Sequence, residues 1–286
     1  MTDYLQHPVG LETPGVAAVM DELSLWSARF GLLLLEHVEL RSGMQILDLG
    51  CGTGFPTFEL AQLGGASCRV IGVDVWRDAL ARARIKARVY QLPNAHLVAA
   101  DGALLPFPAG TFDLIVSNLG INNFDDAPAA LAECMRVTKP GGHLALTTNL
   151  QGHMREFYDV FRETLGECDA GEYLERLTQH EMHRGTKESR TALVEAAGFR
   201  IAKLVEDQTY FRFVDGSALL NHFFIKLGFL DAWRGVVDPA DEQAIFAALE
   251  ANLNETARHH GELRLTVPML YLEAVKPDTG THGDGS

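Results

Sequence analysis

Leu47-Asp48-Leu49-Gly50-Cys51-Gly52-Thr53-Gly54 ends a short apolar run, Met44 to Leu49, and precedes a stretch of helical composition from Phe55 to Leu63. A strand ending in glycines, then a helix that Pro56 opens and Gly64-Gly65 stops, predicts a strand–turn–helix unit. The glycines let a ligand approach the main chain closely, and the helix start offers free N–H groups and the positive end of a dipole. That much suits many nucleotides. Spacing narrows the choice: the dinucleotide fingerprint is G-x-G-x-x-G/A, and counted from Gly50 and Gly52 its third position is Phe55. The glycines instead run Gly50, Gly52, Gly54, and the loop holds no basic residue to meet a pyrophosphate.

Working outward, strand character recurs at residues 68–73, 96–100, 112–117 and 143–148, with helical composition at 77–92 and 127–137 and a turn at Lys139-Pro140-Gly141-Gly142. Regular alternation of this kind implies right-handed crossovers and a parallel sheet covered on both faces. Asp48, Asp74 and Asp101 stand at or just after successive strands, so carboxylates gather at the carboxyl edge where such sheets bind ligands. A positively charged sulfonium suits that edge better than a phosphate.

These residues resemble the motifs of class I S-adenosylmethionine-dependent methyltransferases. Leu47 to Gly54 is similar to the first motif and Val73-Asp74 to the second. Ala100-Asp101-Gly102 with Leu105-Pro106-Phe107 is similar to the adenine-contacting motif, and Phe112-Asp113-Leu114-Ile115 and Lys139 to Gly142 complete the set in order. The match covers roughly residues 40–150 and is closest in style to the branch containing ubiquinone and menaquinone biosynthesis methyltransferases. It implies a Rossmann-like α/β fold: a mostly parallel seven-stranded sheet with helices on both faces, an N-terminal helical addition and a helical insertion before the last strand. It also implies S-adenosylmethionine as cofactor. The backbone around Gly50 and Gly52 would face its methionyl part, Asp48 and Cys51 would also line the cofactor site, and Asp74 would accept from the ribose hydroxyls. Trp76 would lie against the adenine face and Asp101 would accept from its amino group, Val75 and Gly102 would also line the cofactor site, and Asn118 would contact cofactor or acceptor. Each has a plainer alternative: a solvated strand end for Asp74, a turn cap for Asp101, helix packing for Trp76, strand termination for Asn118.

Outside the motifs, residues 13–40 carry apolar side chains at helical spacing, among them Val19, Met20, Leu23, Leu25, Trp26 and Phe30. Helical composition returns at 154–165, 171–177 and 189–197, with a sixth strand expected at 199–205. The stretch 210–261 reads as mostly helical and 263–275 as a final strand. The expected organisation is therefore a helical cap at 1–40, a core at 41–206, an insertion serving as acceptor lid at 207–262, a core strand at 263–276, and a Gly-, Thr- and Asp-rich tail at 277–286 that does not order itself.

The net charge of −14, from 24 Lys and Arg against 38 Asp and Glu, argues against a phosphate-tracking nucleic-acid surface. Ser117 to Phe124 also departs from the Asn-Pro-Pro-aromatic pattern of enzymes that methylate base amines. The four cysteines lack metal or redox spacing, no metal site is expected, and neither a signal segment nor a membrane span is evident, which suggests a cytoplasmic protein. The partner expected is a small methyl acceptor, partly hydrophobic because Phe211, Phe213, Phe223, Phe224, Phe229 and Trp233 lie in the insertion, unless these simply form its core. If the acceptor needs a general base, the candidates are His153 and His222. Two other readings stay open: a nicotinamide-dependent oxidoreductase on a related fold, and an S-adenosylmethionine-binding protein without catalysis.

Overall fold

The structure is a computed structural model that describes Leu5, Ala18 and residues 24–182 and 184–278. Val19, Met20 and Leu23 of the expected cap, and residues 279–286 of the expected tail, lie outside these. Helix α1 (Ser24–His37) leads into β1 (Gln45–Leu49), α2 (Thr57–Gly64), β2 (Arg69–Asp74), α3 (Arg77–Tyr90), β3 (Ala95–Ala99) and β4 (Phe112–Asn118). There follow α4 (Ala127–Val137), β5 (Thr138–Asn149), α5 (Arg155–Glu167), α6 (Leu174–Met182), α7 (Lys187–Ala196) and β6 (Arg200–Phe213). Then come α8 (Gly216–Asn221), α9 (Phe223–Ile225), a π-helical turn (Lys226–Leu230), α10 (Asp231–Arg234), α11 (Glu242–His260) and β7 (Leu263–Val275). No helix among the described residues is long and apolar enough to cross a membrane.

The strands form one seven-stranded sheet in the order β3-β2-β1-β4-β5-β7-β6. β1 pairs in parallel with β2 and β4, β2 with β3, and β4 with β5. Ile46, Leu47, Val70, Val73, Ile115, Val116, Leu144 and Ala145 are fully buried, as continuous apolar runs in a sheet covered on both faces must be. β7 runs against β5: Gly141 N–H donates to Lys276 O and Lys276 N–H to Gly142 O, both at 2.9 Å, while at the other end Leu150 N–H donates to Pro268 O at 3.1 Å. The expected α/β fold with a mostly parallel seven-stranded sheet is the one observed.

Two boundaries differ from expectation. β5 starts at Thr138, and Lys139 to Gly142 is absorbed as a bulge where Phe112 pairs with Thr138 but Leu114 with His143. β6 continues to Phe213, so Tyr210 to Phe213 is strand rather than the start of the helical insertion. Thr209 to Phe213 is a run of β-branched and aromatic side chains in which Tyr210 and Arg212 are more exposed than Phe211, a period-two pattern that suits a pleated surface.

The chain forms two compact units, residues 17–148 with 187–206 and 269–286, and residues 1–16 with 149–186 and 207–268. In the first, Phe30, Leu33 and Leu34 of α1 are buried, and its Gly31 lies so close to Phe55 that a Cβ there would fall 2.1 Å from the ring. The second is built on aromatic packing. Phe157, Tyr158, Phe161 and Leu165 form one face of α5, Phe157 stacks on Trp233 at 3.9 Å, and Phe161 meets Phe246 of α11 edge-on at 5.8 Å.

Candidate functional site

Gly50, Gly52 and Gly54 all take positive φ, at 81°, 52° and 104°, where side-chain-bearing residues are strained. The turn is tied to the neighbouring strand, because the Gly50 and Cys51 N–H groups both donate to Val73 O at 2.8 and 3.0 Å. The glycines differ in what surrounds them. A Cβ at Gly54 would fall 2.0 Å from the Phe58 ring, so this glycine serves packing, whereas nothing lies within 4 Å of a Cβ position at Gly52. Open space in front of the main chain at Gly52 is what close approach of a ligand requires.

Asp74, at the end of β2, reaches back to this turn. Its Oδ2 accepts from Gly52 N–H at 2.7 Å and its Oδ1 from Trp76 N–H at 2.8 Å. The carboxylate is thus held by two main-chain donors in a half-buried position, with lone pairs still available for hydroxyl donors. Asp48, at the end of β1, is fully buried and accepts from the Thr57 hydroxyl at 2.5 Å. Its Oδ1 has no hydrogen-bond partner among the described residues. Burial pushes its pKa up to about 7, the Thr57 bond pulls it down, and the Asp74 charge raises it further. Cys51 is buried beside them, and burial together with Asp48 and Asp74 lifts its thiol pKa well above the usual range, so it stays protonated.

The segment after β4 closes the turn from below. Ser117 Oγ donates to Leu49 O at 2.7 Å, Leu119 is left-handed at φ 64°, and Gly120 presses against the loop. A Cβ on Gly120 would lie 2.3 Å from Ser117 Oγ and 2.8 Å from Leu49 O, and the second of these is backbone that cannot swing away. Gly120→Ala is therefore expected to destabilise the fold by about 1–3 kcal/mol, read as a lower urea midpoint. An unchanged midpoint would show that the loop has slack there.

The structure places the expected residues as follows. Val75 is 68% exposed beyond β2, and Trp76 is half-buried at the start of α3. Asp101 is exposed and one oxygen caps the Ala103 N–H at 2.9 Å, while Gly102 packs over Leu49. Asn118 is engaged at both ends: its Nδ2 donates to Ser27 O of α1 at 2.9 Å and its Oδ1 accepts from Thr147 at 2.7 Å, which makes it a tether between strand and helix. Ser117 and Gly120 lie in the segment at and after the end of β4 that the sequence places beside the cofactor; Thr57 is not among the expected residues, and a hydroxyl in the first turn after the glycines is the one signal that could have pointed to it.

His153 and His222 belong to the other unit. His153 is buried, 5.4 Å from the Phe229 ring and 6.3 Å from that of Phe211, and burial plus the nearby Arg184 lower its pKa to about 3. An imidazole held neutral so far down is a weak base. His222 is half-buried at the start of α9, edge-on to Phe213 at 5.5 Å, with its pKa lowered by burial. Phe211, Phe224, Phe229 and Trp233 are buried within this unit, and Phe223 is 36% exposed.

A loop with access to its main chain, a buried carboxylate with an orphaned oxygen and a second carboxylate clamped alongside fit a cationic ligand bearing hydroxyls, as S-adenosylmethionine is. The family model described as a methyltransferase domain matches residues 47–146. The demethylmenaquinone methyltransferase of Lactococcus lactis is 38% identical over 120 residues, 42% of this chain and 46% of that protein. The ubiquinone/menaquinone biosynthesis C-methyltransferase UbiE of Cronobacter sakazakii is 31% identical over 193 residues, 64% of this chain and 74% of that protein. The chain thus spans about half the length of several curated relatives it matches, such as 46% and 56% of two demethylmenaquinone methyltransferases. Among solved structures, the YcgJ protein from Bacillus subtilis has the same fold at a TM-score of 0.57 and 18% identity, covering 88% of this chain and 99% of that one. Motif, loop geometry and relatives agree, and the chain belongs to the class I S-adenosylmethionine-dependent methyltransferases.

Proposed function

We propose that the protein transfers a methyl group from S-adenosylmethionine to a small, partly hydrophobic acceptor in the cytoplasm. The observation that carries this reading is the carboxylate pair at the glycine turn: Asp74 clamped by Gly52 and Trp76, and Asp48 buried with one oxygen unpaired. When bound, the cofactor supplies a methyl group on a positively charged sulfur. Asp74 would hold the ribose hydroxyls, the backbone at Gly50 and Gly52 the methionyl part, and Asp101 the adenine amino group from its exposed position. Positioning of a nucleophile in line with the methyl group supplies much of the acceleration in such a transfer. The net charge of −14 supports a small molecule over a nucleic acid, and relatives named for quinone methylation support a ring-bearing acceptor.

Calorimetric titration tests the cofactor: one S-adenosylmethionine per chain is expected to bind, and NAD not at all. NAD binding without S-adenosylmethionine binding would replace the reading with a nicotinamide-dependent oxidoreductase. Incubation with methyl-labelled cofactor and small-molecule extracts tests transfer. Binding with no labelled product from any extract would leave a cofactor-binding protein without catalysis.

A further inference from the structure

Gly72 stands opposite Asp48 where β1 pairs with β2. A glycine inside a strand marks a place that other atoms approach closely. Here a Cβ would fall 2.9 Å from Cys51 Sγ and 3.0 Å from Thr57 Oγ1. The bare position on β2 thus makes room for the first side chain of α2, and Thr57, fully buried, donates to Asp48 Oδ2 at 2.5 Å. The neighbour of Asp48 on its other side, Val116 of β4, is apolar. Among the described residues the titratable groups coupled to this carboxyl are Asp74 at the end of β2 and Cys51 in the turn, and neither is a cation.

A threonine hydroxyl has a single proton to give. With that proton on Oδ2, the two oxygens of Asp48 cease to be equivalent: Oδ2 is hydrogen-bonded, while Oδ1, also buried, has no partner among the described residues. Burial of a bare oxygen favours the neutral acid, and the Thr57 bond favours the anion. Those opposed effects leave the carboxyl near its tipping point, at a pKa of about 7. The next charge to arrive beside it then decides its state. The adjoining turn, open at Gly52 and without a basic residue, suits a cation.

We propose that Thr57 is a positioning residue for the cofactor: by holding Oδ2 it keeps Oδ1 as the atom that carries a proton in the unliganded protein and gives it up to solvent when a positively charged sulfur binds at the turn. One O–H bond breaks, the acid becomes a carboxylate, and the buffer takes the proton. The inference rests on the proposed binding of S-adenosylmethionine at the glycine turn; the pairing of Thr57 with Asp48 does not.

The test uses the full chain, titrated with S-adenosylmethionine between about pH 6 and pH 9 by calorimetry in two buffers of different ionisation enthalpy, which reads affinity and proton release together. The wild-type protein is expected to release close to one proton per cofactor near pH 6, and the release should fade above about pH 8. Thr57→Val keeps the side-chain shape and removes the donor. Its release profile should move up by about one pH unit, so that its affinity is roughly 10-fold below wild type near pH 6 and within about twofold near pH 9. The cofactor's own titration is common to both proteins and cancels in the comparison. Thr57→Ser should restore the wild-type profile, and in an Asp48→Asn background Thr57→Val should leave the profile where it is. S-Adenosylhomocysteine, uncharged at sulfur, should release less.

An affinity loss in Thr57→Val that is the same at every pH, with proton release unchanged, marks a structural contact and overturns the proposal. Equal proton release with S-adenosylhomocysteine also overturns it, because the sulfur charge is then not what expels the proton. If Thr57→Val does not fold, Thr57→Ala takes its place with the same expectations. Urea unfolding without cofactor separates the two readings: the pH at which stability breaks should lie about one unit higher in the variant than in wild type. A shifted break with no cofactor binding would sink the cofactor reading and leave Thr57 setting the charge of Asp48, whereas an unshifted break overturns the inference itself.

Discussion

Asp74→Ala is expected to weaken S-adenosylmethionine binding by about 2–4 kcal/mol, a loss of roughly 30- to 1,000-fold read by calorimetry. The expectation combines two effects. Ribose hydroxyls lose a charged acceptor, and the turn loses the clamp in which Asp74 takes the Gly52 N–H at 2.7 Å and the Trp76 N–H at 2.8 Å. Asp74→Asn separates them poorly by design: an amide can satisfy one of the two N–H donors but must turn its own NH2 toward the other, so it should rescue little. Both N–H groups need acceptors at once, and only a carboxylate offers two. Unchanged affinity in the alanine variant would remove Asp74 from the cofactor site.

Asp48→Asn is expected to act oppositely on stability. In the native chain burial raises the Asp48 pKa from 3.8 to about 7, with the Thr57 hydroxyl working against this and the Asp74 charge adding to it. Between those values the folded state holds a proton that the unfolded chain has released. The contribution of this group therefore favours folding in full below about pH 4 and is lost as pH rises through about 7. At about 1.4 kcal/mol per decade of acidity, the loss amounts to about 4 kcal/mol. The asparagine variant, which can still accept from Thr57, should be more stable than wild type by a few kcal/mol at pH 8 and by much less at about pH 4.5. Urea unfolding across that range checks it, and parallel stability curves for the two proteins would contradict a buried carboxyl titrating near 7. The same linkage predicts that binding a cation beside Asp48 expels a proton, so wild-type affinity for S-adenosylmethionine should rise with pH up to about 7.

The parts of this architecture that showed in the sequence are those fixed by local rules. The glycine turn, the first strands and the order of Asp48, Asp74 and Asp101 follow from period, turn chemistry and spacing, and they are where expected. Tyr210 to Phe213 is strand where its composition allowed helix, because a short aromatic run fits a buried helix face and a strand equally well until its neighbour strand is known. The partners of Asn118 were not legible: an amide that closes a strand looks the same whether it faces a ligand or, as here, the Ser27 carbonyl 91 positions away. Asp101 shows a milder form of the difficulty, since its turn-capping bond to Ala103 uses one oxygen of an exposed carboxylate and the sequence does not tell this cap from a binding residue.

The contact of Phe55 with Gly31 bears on how such a protein diversifies. Phe55 occupies the place where a dinucleotide-binding fold keeps a glycine, and its ring rests on the bare backbone of α1, while Asn118 grips the same helix one turn earlier at Ser27. The helix ahead of the first strand and the glycine turn are thus fitted to one another: a side chain put at position 31 would meet the Phe55 ring, and a change at position 118 would release the same helix at Ser27.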